Sequence, residues 1–189
     1  MRKSFLHLLI AILSVTGLQS VQAQDSVVNT AESNIHWLGK KVTGQHEGNI
    51  ALKSGVINLI DGAVTGGSFV VDMTSMSCTD LSGNSAGKLI GHLKSDDFFG
   101  VDNHPEASLI FTKVEAKGNG VYTITGDFTI KGKTNPAQFD LTLADGSATA
   151  KVIIDRALYD IRYGSNSFFD NLGDKAIYND FELDVTLKL

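Results

Sequence analysis

The sequence predicts an all-β fold: an antiparallel β-barrel of about eight strands, with one inserted helix near residues 85–97 capping it. Three observations carry this. Apolar and polar residues alternate with period two in several separate segments, the pattern of antiparallel strands with one wet face. Nineteen glycines and only two prolines suit a chain of strands and tight turns. A single stretch midway carries helical spacing instead, rich in large apolar residues, as a cover over a barrel mouth requires.

The first residues stand apart from the fold. Arg2 and Lys3 precede an apolar run at 5–15, and "VQA" at 21–23 has the small-residue character of a cleavage site. Residues 1–23 therefore read as a secretory signal peptide, too short for a membrane span, which implies a periplasmic or secreted protein processed near Ala23. Gln24 stands where a lipoprotein would carry cysteine. Residues 24–189 are one domain by length, enough for a sizeable core. The formal charge of −5 argues against nucleic acid or an anionic surface as partner. Cys78 is the only cysteine, so no intrachain disulfide forms; with no Lys, Arg or His beside it in sequence it reads as a small buried hydrophobe.

In chain order, strands are expected at 34–42, 46–52, 55–60, 66–74, 107–115, 121–130, 137–143, 148–156 and 177–189. In 121–130, Tyr122, Ile124, Phe128 and Ile130 share one face against Thr123, Thr125, Asp127 and Thr129. In 137–143, Phe139 and Leu141 oppose Gln138, Asp140 and Thr142. In 177–189, Phe181, Leu183, Val185 and Leu187 oppose Glu182, Asp184 and Thr186. "DG" at 61–62, "GNG" at 118–120 and "DG" at 145–146 supply the turns. The helix carries Leu89, Ile90 and Leu93 at helical spacing, with Ser85 as its N-cap. A second irregular stretch, 163–175, holds Phe168, Phe169 and Leu172 among polar residues. Strands with one apolar face must close on themselves or on a second sheet, and a covering helix favours the barrel.

Several motifs suggest chemistry and lose it on context. "GNSAG" at 83–87 matches a nucleophile elbow, but no parallel strand precedes it, so Ser85 reads as a helix cap. "GKT" at 132–134 lacks the glycine spacing of a phosphate loop. With a turn centred on Gly44 and Gln45, His46 falls opposite Lys41 or Val42 and His36 near Leu52, too far apart to share a metal. "SDDFFGVDNHPEASLIF" at 95–111 packs Asp96, Asp97, Asp102, His104 and Glu106 together. Asp and Asn close turns through their side chains, Pro105 leads into the next strand, and Phe98 and Phe99 anchor the corner under the barrel rim.

The order of "GKLIGHLKSDDFFGVDNHPEASLIF", "YTITGDFTIKGKTNPAQFDL" and "IIDRALYDIRYG", with Trp37, Gly39 and "GQHEG" at 44–48, resembles the YceI-like family over about 35–189. The loop Gly100-Val101-Asp102 departs from relatives that carry an acidic residue after the paired phenylalanines. The resemblance implies a lipocalin-like antiparallel barrel in exported bacterial proteins, an apolar interior holding a polyisoprenoid or fatty-acid derivative, and no shared catalytic residues or cofactor.

The expected function is thus a non-enzymatic, exported lipid carrier. Candidate cavity residues are Trp37, Phe69, Val71, Leu93, Phe98, Phe111, Ile124, Phe128, Phe139, Leu141, Ile154, Phe168, Phe169 and Phe181. Arg156 and Arg162 are the candidates for a polar head group; a salt bridge to a neighbouring strand is the structural alternative for Arg156. Two rivals remain: a small exported enzyme using the Asp/His cluster, and a structural module with a solid core. No metal or catalytic residue is assigned, and sequence does not distinguish a hollow interior from a packed one.

Overall fold

The computed structural model describes residues 22–189. The expected signal peptide lies outside them, save its last two residues. Nine strands form one antiparallel sheet: β1 (Ala23–Val27), β2 (Asn29–Lys41), β3 (Gly44–Ile60), β4 (Ala63–Asp72), β5 (Glu106–Gly118), β6 (Val121–Ile130), β7 (Lys133–Ala144), β8 (Ser147–Asp155) and β9 (Ile177–Lys188). β2 to β9 pair around a closed ring, because β3 pairs with β4 on one side and β2 on the other, and β2 also pairs with β9. Closure leaves no exposed edge in the ring. β1 extends the line of β2 along the far half of β3, from Ala23↔Ile60 to Val27↔Val56.

Two-residue turns set most registers. Asp61-Gly62, Lys131-Gly132 and Asp145-Gly146 all have positive φ at both positions, the geometry whose twist suits antiparallel hairpins. The β2–β3 hairpin turns at Val42-Thr43, with Lys41 opposite Gly44. This corrects the turn expected at Gly44-Gln45. His46 faces Gly39 and His36 faces Asn49. Directly paired residues share a face and neighbours alternate, so the two histidines lie on opposite faces of the sheet. The outward His36 meets Glu47 at 3.6 Å.

β3 is one strand where two were expected. Leu52 pairs with Val71 and Ser54 with Val70, leaving Lys53 as a bulge. The bulge shifts the inward set from Ile50 and Leu52 to Gly55 and Ile57, so the alternation breaks while the pairing continues. The strand residues 23–33 were not expected, because this polar stretch does not alternate; main-chain bonds along β3 and β9 hold it, with buried Val28 as its anchor in the core.

Helix α1 (Gly83–Lys94) and the corner after it lie between β4 and β5, at the end of the barrel where β2, β6 and β8 finish. The helix begins at Gly83 with Ser82 as N-cap, so Ser85 is an exposed residue of the first turn and not the expected cap. Its last carbonyls are taken up by the corner: Phe99 N–H donates to Leu93 at 3.0 Å and Val101 N–H to Lys94 at 2.8 Å. Gly100 permits the reversal, with φ of 58°.

Candidate functional site

Inward side chains of the ring do not fill it. A cavity of about 240 Å³ runs from the helix into the barrel. An engineered apolar cavity of ~150 Å³ stays dry and takes up benzene, so this space is large enough for a ligand. Its wall is built by the period-two faces that the sequence announced. Phe69, Phe111, Phe128 and Phe139 form a connected aromatic belt, with ring centroids 5.3 to 6.0 Å apart. Leu141, Val152, Val185 and Leu187 continue the wall on the neighbouring strands.

The helix and corner close one end. Leu89, His92 and Leu93 border the cavity from α1, and Phe98 and Phe99 from the corner. Phe98 is buried, packs on Phe99 at 5.2 Å, and presents its face to the Arg156 guanidinium at 5.3 Å. The corner's acids do not converge on it. Asp96, Asp97 and Asp102 are exposed, and Asp96 serves the turn by accepting from Asn103 at 3.4 Å. Among the described residues no three metal-ligating side chains gather at one point.

Trp37 is placed by a close backbone approach. Its indole N–H donates to the Ser77 carbonyl at 3.1 Å. That carbonyl sits so near Gly48 that a Cβ there would lie 1.9 Å from it, so only glycine fits opposite Trp37. The strap from Ser77 to Asp80 runs along β3 through Ser77 N–H to Asn49 and Thr79 N–H to Glu47, both 2.9 Å. It delivers Asp80 to His46, with Nδ1 and the carboxylate 2.8 Å apart. Partial burial pushes the Asp80 carboxyl up, but hydrogen bonds from His46, the Glu47 N–H and Cys78 outweigh it and bring it down to about 2. Cys78 is half-buried, and burial together with its bond to Asp80 raises its pKa, which keeps it a thiol.

The polar part of the lining lies at strand ends: Lys40 and Lys41 of β2, His46 of β3, and Tyr178 and Asp180 of β9. Tyr178 is exposed there, so this is the rim. Lys40 also reaches outward to Glu182, which Lys151 meets at 2.8 Å.

Of the sequence candidates, Trp37, Phe69, Val71, Leu93, Phe98, Phe111, Phe128, Phe139, Leu141, Phe181 and Arg156 border the cavity. Ile124 and Ile154 do not: they are fully buried in packed core beside it. Phe168 and Phe169 are 39% and 48% exposed and away from the cavity. Both of their N–H groups turn back onto the carbonyl of buried Ser165, which Asn179 fixes at 2.7 Å, so the anchor of this loop is polar and its rings lie outside. Arg162 is also away from the cavity; it pairs with Asp160 and stacks over Phe168 at 5.1 Å. Arg156, 2% exposed, forms no salt bridge among the described residues. It donates to the carbonyls of Ile161, Ile177 and Tyr178 at 2.7, 3.1 and 3.2 Å. Burial lowers its pKa, against the opposing pull of Asp155.

Sequence reasoning missed His92, Leu89 and the rim. Leu89, His92 and Leu93 fall at i, i+3 and i+4, so the helical stripe carried the signal for the first two. The rim had none, since it depends on which strand ends meet.

A family model described as "YceI-like domain" matches residues 27–189. A UPF0312 protein of Shewanella sp. (strain ANA-3) is 47% identical over 45 residues, 24% of each chain. One from Vibrio parahaemolyticus is 37% identical over 67 residues, 35% of this chain and 32% of its own. The matches thus span a quarter to a third of these relatives' length. Among solved structures, BcnA of Burkholderia cenocepacia superposes with a TM-score of 0.68 at 19% identity, over 85% of this chain and 98% of its own. A polyisoprenoid binding domain from Saccharophagus degradans, implicated in plant cell wall breakdown, gives 0.57 at 15% identity, over 89% and 97%. At such identities the likeness is one of fold.

Proposed function

The chain belongs to the YceI-like family, and on that premise we propose that it is an exported carrier holding a long apolar lipid chain, such as a polyisoprenoid or fatty-acid derivative, inside its barrel. The observation that carries this reading is the cavity of about 240 Å³ with its wall of Phe, Leu, Val and Ile. Burying a chain there contributes about 0.8 kcal/mol per methylene, so affinity rises with chain length until the space is filled. The polyisoprenoid-binding domain of like fold supports the ligand class. Arg2-Lys3, the apolar run and "VQA" support processing after Ala23 and a periplasmic or secreted location.

We assign the protein no catalytic step. The acidic stretch at 96–106 is spent on a turn, and the thiol beside the His46–Asp80 pair, Cys78, bonds to Asp80 at 3.2 Å and does not border the cavity. A solid structural module is disfavoured by the unfilled interior. The test is native mass spectrometry of protein purified without detergent. Added mass of a lipid, lost on organic extraction and regained with a long-chain isoprenoid, is the expected result. Protein that never carries or accepts such a chain would reject the carrier reading.

A further inference from the structure

We propose that the mouth of the barrel docks on a lipid bilayer of zwitterionic head groups, with Phe168 and Phe169 entering the membrane surface beside the cavity opening. The choice of partner rests on the carrier reading, since a bilayer is where an apolar chain is taken up or left. The mouth lies where the ring is least regular. Gly39 pairs with Phe181 and Lys41 with Ile177, so Lys40 alone stands against Tyr178, Asn179 and Asp180, and the β2–β9 ladder lapses. The cavity lining reaches exposed residues at this lapse, through Lys40, Lys41, Tyr178 and Asp180.

The same lapse holds the aromatic loop. Ser165 Oγ donates to the Asn179 amide oxygen, and the Asn179 amide nitrogen donates to Ser167 Oγ, both at 2.7 Å. The Ile177 N–H donates to the Gly164 carbonyl at 2.8 Å, and the Val42 N–H to the Ala176 carbonyl at 3.1 Å. The loop is thus stapled beside the mouth, with its rings outside. Ten large apolar side chains are exposed among the described residues, and six of them are Val42 or fall in 158–178. The other four are spread singly over β1, β3, β5 and β8. Scattered apolar side chains are ordinary on a protein surface, whereas a concentration at one place marks an interaction site.

Composition and charge select the partner. Tyr163, Phe168, Phe169 and Tyr178 are aromatic, the class of side chain that favours the head-group level of a membrane. They stand beside an opening whose cargo is itself a lipid. The segments that bear the six exposed side chains, 40–42 and 158–180, carry four Lys and Arg residues against four Asp residues. They balance, although the whole chain stands at −5. Arg162 pairs with Asp160 and lies over the Phe168 ring at 5.1 Å, so its charge is spent within the protein. A balanced face gains nothing from anionic head groups. Apolar insertion therefore supplies the affinity, and salt does little to it.

The experiment is co-sedimentation with vesicles of phosphatidylcholine. The wild-type protein is expected to partition onto them equally at low and high salt. The double variant Phe168→Ser, Phe169→Ser is expected to lose about tenfold in partitioning, the scale of two rings each burying part of its surface. Ile110→Ser and Ile153→Ser, which each remove a side chain 56% exposed on the barrel wall, are expected to change nothing. Docking is overturned by a wild type that stays in solution, by a double variant that sediments like it, or by an equal loss in the wall variants. Binding that needs phosphatidylglycerol and vanishes in salt overturns it as well. Phe169→Trp gives a readout independent of the double variant's folding. Its emission, above that of Trp37, should shift to the blue on vesicles and be quenched by brominated phosphatidylcholine, while Ile110→Trp should do neither; the same response from both refutes the docking face. Native mass spectrometry keeps the carrier reading separate. Lipid held by a protein that ignores vesicles rejects docking alone, and vesicle binding by a protein that never holds lipid rejects the carrier alone.

Discussion

Asp80 is bound from three sides, by the His46 imidazole, the Glu47 N–H and the Cys78 thiol. Its carboxyl is held at about 2, against an ordinary 3.8. A carboxyl whose pKa is depressed by folding adds stability wherever it is ionised in both states, and loses it over the range where the unfolded chain has taken a proton and the folded one has not. That contribution is whole above about pH 4 and is lost as pH falls toward 2. Asp80→Asn should therefore flatten the acid side of the stability curve between those values, read as urea midpoints across pH. An unchanged slope would mean that the three bonds do not hold in solution. The same residue explains why sequence reading stopped short at His46. A histidine at a strand start is legible; the aspartate that orients it is 34 positions away and arrives only through the strap over Gly48. Arg156 teaches the complementary point. Its importance was legible from its rarity, but its partners are three backbone carbonyls, and no sequence pattern marks a carbonyl as free to accept.

Among the elements, the β6–β7 hairpin carries the sharpest test of a hollow interior. Lys131-Gly132 fixes its register, so Phe128 and Phe139 fall on inward positions and meet at 6.0 Å while both border the cavity. An extra ring in a filled core costs about 1–3 kcal/mol. In Phe139→Trp the larger ring has free volume beside it. Stability should stay within about 1 kcal/mol of wild type, while long-chain ligands lose affinity. The paired readout is the urea midpoint and lipid binding; a large loss of stability with unchanged binding would show that the ring has no such room. The helix and the corner behave as one element, because the corner's N–H groups cap the helix carbonyls. Periodicity located that pair, since Leu89, Leu93, Phe98 and Phe99 are too apolar for a free loop. It misplaced the helix start, because Ser82 and Ser85 are equally good caps on paper and the first turn buries nothing that would choose between them.

At the scale of the molecule, the expected cleavage point at Ala23 falls at the first residue of β1. Cleavage after Ala23 would leave Gln24 to begin the chain within β1, still paired along β3. N-terminal sequencing of protein recovered from outside the cytoplasm should begin at Gln24; a chain still starting at Met1 would refute export by this route. The alternation in 121–130, 137–143 and 177–189, the Asp-Gly turns and the helical stripe determined an antiparallel barrel with a cap, because these signals are local: each depends on spacing within about ten residues or on a turn residue's φ. Whether the barrel is hollow depended on how side chains from eight strands fit together, which is a property of volume and not of pattern. Ile124 and Phe139 face each other across one pair, yet one is packed solid and the other borders the cavity. Phe168 and Phe169 were as apolar as any wall residue and lie outside, because the buried polar anchor at Ser165 turns their loop away. The alternation could say which side of a strand is apolar. Only closure of the ring, with α1 laid across its end, decided where that side encloses space.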